Sequence, residues 1–203
     1  MRRTFTALLC PLLLAVAAGA DETKDKDKPK PPVTAKLIAN KGTYTLDIDG
    51  MTPEQFRAAL KDAETSGKYP KPPAVDLTLE LTNTSDKEVQ IWQNGDPVQL
   101  RLELKGKGAV NARPRRAFTR EFRVPHAVTL APGKSHTIAV KSLQFGFRGV
   151  AEQAYWTDAG EYTLTAHFQT GISPPPPDSK AGRDGFARIT LTSEPIKIKV
   201  EAK

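Results

Sequence analysis

The chain has 203 residues, a formal net charge of +7, one cysteine and 38% hydrophobic residues. This length suits one domain after an N-terminal leader, and a single cysteine excludes an intrachain disulfide framework. Basic and acidic residues are mixed along most of the chain, which is typical of a solvated surface.

Residues 1–20 have the features of a signal peptide. Arg2 and Arg3 give a positive start, residues 5–16 are apolar, and small residues precede Asp21. The apolar run is shorter than the roughly 20 residues of a membrane span, so we expect cleavage and export, periplasmic or secreted, with no integral span afterwards. A retained anchor and lipidation at Cys10 are the alternatives. Cleavage would remove these two arginines and lower the formal net charge from +7 to +5.

Residues 21–32 alternate charges of both signs and end in prolines, with no apolar side chain to bury. This composition predicts a disordered linker. A contact with the cell wall or a polyanion is the alternative. Residues 33–203 are then expected to form a single β-sandwich domain.

Two short β-patterns, residues 36–40 and 43–47, flank Lys41 and Gly42. They predict a hairpin, or two short strands around a tight turn.

A helix is predicted at about 53–65. Thr52 is the expected N-cap, Pro53 occupies the first helical position and Gln55 completes a capping box. Apolar residues then follow at helical spacing, and Gly67 with the prolines after it ends the helix. The apolar stripe should cover an open edge or end of the sandwich. A ligand-binding lid is the alternative.

Alternation of apolar and polar residues predicts most of the remaining elements as strands. It is clearest at 75–81, where the valine and the three leucines share one face. The other predicted strands are residues 88–92, 98–104, 128–130, 135–140, 142–148, 185–191 and 195–201. Lysines on the outer face of the last strand suit a sheet edge, where charge discourages pairing with other chains.

Residues 113–123 hold the one concentration of basic side chains, with Phe118 and Phe122 among them. Basic and aromatic residues together are typical of nucleic-acid binding, but a signal peptide makes nucleic acid an improbable partner. We therefore expect a solvated loop or a contact with an acidic partner, without nucleic acid. The candidate residues are Arg113, Arg115, Arg116, Arg120 and Arg123.

The stretch 158–168 predicts the central strand of the fold. After a turn, Tyr162, Leu164, Ala166 and Phe168 alternate on the core face. His167 lies on the polar face with threonines, and it is a further candidate for partner binding.

No pattern of catalytic or metal-binding residues is present in the sequence. His126, His136 and His167 have no second histidine or cysteine at metal-ligand spacing. There is no Gly-x-Ser-x-Gly elbow, no His-Glu-x-x-His and no cysteine nucleophile in the mature chain. Acidic residues near turns form no compact Asp-x-Asp-x-Asp run of the kind that binds calcium. We therefore expect no cofactor, no metal and no enzymatic activity.

Three motifs occur in an order typical of bacterial sandwich domains. They are Leu-Glu-Leu-Thr-Asn-Thr-Ser-Asp-Lys-Glu-Val (79–89), Leu-Ala-Pro-Gly-Lys (130–134) and Ala-Gly-Glu-Tyr-Thr-Leu-Thr-Ala (159–166). Over about half of the mature chain the pattern resembles immunoglobulin-like and fibronectin-type sandwiches, including the BsuPI-type proteinase-inhibitor domain. Ala159 replaces the proline usual in that pattern, and the helix is an insertion. The chain also resembles exported proteins of planctomycete-type bacteria, which implies no activity.

The resemblance implies an all-β fold, an antiparallel immunoglobulin-like β-sandwich with one short inserted helix. The predicted function is non-catalytic, with a binding or structural role toward a protein or cell-envelope component, as a monomer. One alternative is proteinase inhibition through residues 113–123 or 173–179. The other is a carbohydrate-binding or hydrolytic sandwich.

Overall fold

The computed structural model describes residues 31–113, 122–146 and 151–203. The predicted signal peptide, the predicted linker up to residue 30, and Arg115, Arg116 and Arg120 lie outside these residues. Within them the fold is an all-β sandwich with one short helix. No helix of the described segments is both long and apolar enough to cross a membrane.

Thirteen strands and one helix form in these segments. The strands are β1 (Val33–Ala39), β2 (Thr43–Thr45), β3 (Ala74–Asn83), β4 (Val89–Asn94), β5 (Gln99–Gly106), β6 (Ala109–Ala112), β7 (His126–Leu130), β8 (Ser135–Ser142), β9 (Gln144–Phe145), β10 (Glu152–Trp156), β11 (Gly160–Ser173), β12 (Ala187–Thr192) and β13 (Ile196–Glu201). The helix is α1 (Pro53–Ser66).

Three sheets make up the fold. The first has the order β1-β3-β8, and a small one has the order β6-β10-β9. The largest follows β2-β13-β11-β4-β7, with β5 and β12 also paired to β11. Because β5 pairs with residues of β11 that also pair with β13 or β12, those two strands must lie along the opposite edge of β11 from β5. The 14-residue strand β11 is therefore the centre of the largest sheet.

The core lies between the first sheet and the largest sheet. The inward side chains of β3 pack there, as the alternation at 75–81 predicts. On β11 the four predicted core residues are buried, and Tyr162 is only 1% exposed. Its hydroxyl donates a hydrogen bond to the Asp158 carbonyl (2.7 Å), which satisfies the polar end of a buried ring. The predicted central strand is confirmed, and it extends to Ser173.

The helix begins and ends as the sequence predicts. The Thr52 hydroxyl accepts from the Gln55 N–H (3.3 Å), the Gln55 side chain accepts from the Thr52 N–H (2.8 Å), and Gly67 is the left-handed C-cap. The apolar stripe packs on the small sheet, where Phe56 meets the Tyr155 ring edge-on at 6.0 Å. Burial raises the pKa of the Tyr155 phenol. These contacts support the covering role of the helix.

Two predictions about connectivity are wrong or incomplete, and one sheet has no counterpart among the predictions. β1 and β2 are not a hairpin, because β1 pairs with β3 in the first sheet whereas β2 pairs in parallel with β13 in the largest sheet. β13 is not a simple edge strand, because β2 covers it at residues 199–201. The small sheet of β6, β10 and β9 was not predicted. The immunoglobulin-like topology remains a prediction from the resemblance.

An aromatic pair covers the outer face of the largest sheet near the end of β11. The Trp92 ring stacks on the Phe186 ring at 4.8 Å and is 5% exposed. It lies directly on Gly171, where a Cβ atom would be 2.4 Å from the indole. A glycine is therefore required for Trp92 to lie against the strand backbone.

We expect Gly171→Ala to destabilise the protein by about 1–3 kcal/mol, because the added methyl would displace a buried indole that also stacks on Phe186. Urea unfolding followed by tryptophan fluorescence would measure this change. The matched control is Gly42→Ala, where a Cβ would meet no atom within 4 Å, and its effect should stay within about 0.5 kcal/mol. Equal stability of the two variants would contradict the packing.

Candidate functional site

His167 is held by its own chain on the outer face of the largest sheet. Its Nδ1 lies 3.2 Å from Thr192 Oγ1 and its Nε2 lies 3.2 Å from Glu103 Oε2. The imidazole side chain is 20% exposed. It therefore bridges β5 and β12 across β11, and its role in partner binding stays a prediction.

Glu103 is the centre of this outer-face cluster. Lys105 approaches its other carboxylate oxygen at 3.1 Å. The hydrogen bond from Lys105, and secondarily the one from His167, lowers the pKa of the Glu103 carboxyl. The cluster is an ion-pair network on the outer face of the largest sheet.

Arg113 and Arg123 stand at the two ends of the predicted basic loop, and each faces an acid of the sandwich. Arg113 Nε lies 3.9 Å from Glu152 Oε1, and Arg123 Nη2 lies 3.6 Å from Asp96 Oδ1. Both arginines are therefore within ion-pair distance of acids of the sandwich. The other three candidate arginines lie outside the described residues, so their role stays a prediction.

Asp96 fixes residues 122–125, which begin inside the C-terminal end of the basic loop and which we name the strap. The Arg123 N–H donates to Asp96 Oδ2 (2.9 Å), and the Asp96 N–H donates to the Arg123 carbonyl (2.8 Å). Gly95 has a left-handed φ of 84°, and a Cβ there would be 2.5 Å from Pro125 Cα. Only a glycine at this turn lets the strap lie directly against it.

The strap presents apolar surface to solvent. Phe122 is 69% exposed and Val124 is 67% exposed, and no other large hydrophobic residue of the described segments is so exposed. Arg123 lies between them and turns toward Asp96. An exposed apolar pair on a fixed backbone is a feature of recognition surfaces, since its contacts with water cost free energy unless a partner covers it.

A groove runs from the strap along one flank of the sandwich. It consists of two adjoining cavities of about 280 Å³ and about 420 Å³ that share Asn94, Gly95 and Arg123. The smaller one continues between the beginning of β5 and the end of β8, and we name the whole the flank groove. Its lining residues are Asn94, Gly95, Val98, Gln99, Leu100, Arg123, Val124, His126, Ala139, Val140, Lys141, Ser142, Gln144, Phe145 and Gly146.

A second cavity of about 340 Å³ lies where β2, α1 and β10 meet. Its floor is made by Tyr44, Phe56 and Trp156, all of which are almost completely buried. Charged side chains of both signs form its rim.

The three histidines lie on separate parts of the fold. His126 begins β7, His136 is on β8 in the other sheet, and His167 is on the outer face of β11. Among the residues that the structure describes, no group of three or more histidine, cysteine or acidic side chains could hold a metal ion. The described histidines thus form no shared site.

A comparison with models of known protein families finds no match for this chain, and a comparison with curated protein sequences finds none either. The resemblance to BsuPI-type domains therefore remains a prediction that depends on the three short motifs.

The sequence pointed to one part of the candidate site, the basic loop, and gave no indication of the contact that fixes the strap. It showed the basic residues up to Arg123, but not the contact between Asp96 and Arg123. These residues are 27 positions apart, and no periodicity links them. The one available signal was Phe122 beside Val124 in a segment without strand alternation.

We expect Glu103→Gln to lower the free energy of unfolding at pH 7 by about 0.2–1 kcal/mol, the usual value of an exposed ion pair. The folded pKa of Glu103 is lowered, so its stabilisation is present above the ordinary value of 4.5 and is lost as the pH falls through the folded value. The difference from wild type should therefore vanish in acid. Urea unfolding over a pH series would measure it.

Glu194→Gln is the control, since Glu194 is an exposed residue in the connection before β13. It should show no such trend. A Glu103→Gln difference that stays constant from pH 7 to pH 3 would contradict the pairing with Lys105 and His167.

Proposed function

We propose that the protein is an exported, monomeric, non-catalytic binding protein that holds a segment of a protein partner in the flank groove. The observation that carries this proposal is the exposed pair on the strap that Asp96 fixes: Val124, which lines the groove, and Phe122, two residues before it. Covering an apolar side chain of this size contributes about 1.5–3 kcal/mol. A strap that is already fixed loses little conformational entropy on binding.

The charge of the chain favours an acidic partner. The formal net charge is +7, and it is +5 without the two arginines of the predicted signal peptide. A basic protein attracts acidic molecules during diffusion and repels copies of itself. The predicted export supports an acidic protein or another acidic component of the cell envelope, and disfavours nucleic acid.

The arrangement of chemical groups supports a binding role over catalysis. The described histidines are dispersed, and His167 is engaged by Glu103 and Thr192. The flank groove brings together mostly apolar and amide side chains, with Arg123 and Lys141 as cations. Both cations face acids of the chain, Asp96 and Asp76. Such a surface recognises shape and apolar side chains.

A photoreactive residue in the groove should identify the partner. We expect p-benzoylphenylalanine at Val98 to crosslink to one acidic protein of the exported fraction, and the same residue at Thr190 to give no such product. Thr190 is exposed on β12, away from the groove. Mass spectrometry of the adduct would give the partner and the crosslinked segment.

The purified partner should then bind the double variant Phe122→Ser, Val124→Ser at least about tenfold more weakly than wild type, as expected for central apolar contacts. Thr190→Ser should bind as wild type does. Crosslinking of equal yield from both positions, or unchanged affinity of the double variant, would contradict the proposal.

Proteinase inhibition is the second candidate, and the strap favours it. An inhibitor needs an exposed segment held rigidly enough to resist cleavage, and the main chain of Arg123 is held at both its N–H and its carbonyl. The other predicted segment, 173–179, closes on itself where the Ser179 N–H donates to the Pro176 carbonyl (2.9 Å), and several of its residues are half-buried. The strap is therefore the better candidate.

Proteinase inhibition predicts stoichiometric loss of activity of an extracellular protease, with the chain intact at the strap. Phe122→Ser should abolish the effect, because Phe122 is the most exposed apolar contact. Activity of a panel of serine, cysteine and metalloproteases, with electrophoresis of the protein, would measure this. Cleavage within residues 122–125 without inhibition would eliminate this function.

A further inference from the structure

One edge of the first sheet borders the flank groove, and the hydrogen bonds of β8 show which main-chain groups point outward. The Asn83 N–H donates to the Lys134 carbonyl (3.0 Å), one step beyond the Thr82–Ser135 pair. Bonded and non-bonded pairs alternate along antiparallel strands. The N–H and C=O groups of His136, Ile138 and Val140 therefore face β3, and those of Thr137, Ala139 and Lys141 face away from it.

These outward groups form an accessible strand edge. β8 is the last strand in the order β1-β3-β8, and within the described segments no strand pairs with its outer side. Thr137, Ala139 and Lys141 are all exposed. At the other end of the same sheet, β1 lies against β12 and β13. With respect to the described residues, the outward edge of β8 is thus available to a strand from another molecule.

Edge strands are usually protected by proline, by a bulge, by charge or by short length. β8 has eight residues, Ser-His-Thr-Ile-Ala-Val-Lys-Ser, without proline or glycine. Its one lysine, Lys141, forms an ion pair with Asp76 of β3. Little in its sequence prevents pairing.

The flank groove lies directly beside this edge. Ala139, Val140 and Lys141 line it from the first sheet, and Val98 and Leu100 line it from the other side. In an added strand, side chains alternate between two faces. Every second side chain would then enter the groove and meet Val98 and Leu100, while the main chain pairs with β8.

We propose that β8 accepts an extended segment of an acidic partner protein as a fourth strand of the β1-β3-β8 sheet, with apolar side chains of that segment in the flank groove. This inference rests on the proposed function and adds how the partner is recognised. Main-chain hydrogen bonds give the affinity and the alternate side chains give the specificity. The net charge, +7 for the full sequence and +5 without the predicted signal peptide, favours an acidic partner over a second copy, because two copies would bring like charges together.

The test uses a fluorescein-labelled peptide of eight residues that alternates glutamate with valine, and fluorescence polarisation with the purified protein. We expect saturable binding, and a peptide that alternates lysine with valine should bind at least about tenfold more weakly. Two further peptides carry methyl groups on alternate main-chain nitrogens, either those of all the glutamates or those of all the valines. Only one of these two sets of N–H groups faces β8, so only one of the two methylated peptides should lose binding.

A proline variant of the protein tests the same edge. Ala139→Pro removes an outward N–H of β8. This variant should bind the glutamate–valine peptide at least about tenfold more weakly than wild type does. Ala35→Pro is the matched control, since by the same alternation its N–H faces away from β3 on the opposite edge of the sheet. Circular dichroism checks that both variants are folded. The methylated peptides test the edge on wild-type protein, independently of either variant.

Several outcomes would overturn strand addition. The first is that the glutamate–valine peptide does not bind at concentrations up to about 1 mM. The second is that both methylated peptides lose binding equally. The third is that the protein dimerises through β8 and does not bind the peptide. The crosslinking at Val98 would still stand in each case, so the proposed function could survive while this inference fails. Loss of both the crosslink and the peptide would remove the proposed function as well.

Discussion

The double pairing of β11 is the constraint on which the rest of the structure depends. Along one edge this strand pairs with β13 and then β12, and along the other with β5 and then β4. Where the chain passes from β12 to β13, Ser193 maintains the edge: its Oγ accepts from the Ala166 N–H (3.0 Å) and its N–H donates to the Ala166 carbonyl (2.9 Å). A buried strand needs all its main-chain groups paired, and here a side chain completes the pairing.

Side-chain amides perform the same task elsewhere. Asn111 donates to the Leu104 carbonyl (2.9 Å) and accepts from the Leu104 N–H (3.1 Å), as a paired strand residue would. Buried Asn83 donates to the carbonyls of Lys87 and Leu130, both at 2.8 Å, and so links the turn after β3 to the end of β7. At these points side chains satisfy the main-chain hydrogen bonds that strand pairing leaves open. The outer edge of β8 and the strap, by contrast, remain accessible beside the flank groove. Recognition surfaces are commonly carried by such accessible segments on a rigid scaffold.

Local patterns predicted much of the fold because they depend on neighbouring residues. The capping box at Thr52 and Gln55 set the start of the helix, and strict alternation placed Tyr162 in the core. Alternation does not show which strand pairs with which, so the predicted hairpin of β1 and β2 was wrong: the two strands pair in different sheets. The small sheet was missed because β6 and β10, which have four and five residues, are too short for a clear period, although β9 lies within the predicted strand 142–148.

By itself, the sequence determined the all-β class, the single helix and the inward faces of the long strands, because side-chain period and caps are local properties. The tertiary structure decided the candidate site. It brought Asp96 against Arg123, left Phe122 and Val124 exposed, and placed the outer edge of β8 beside Val98 and Leu100. Each of these depends on contacts between residues far apart in the chain. Such contacts follow from how whole sheets pack, and no local pattern encodes them.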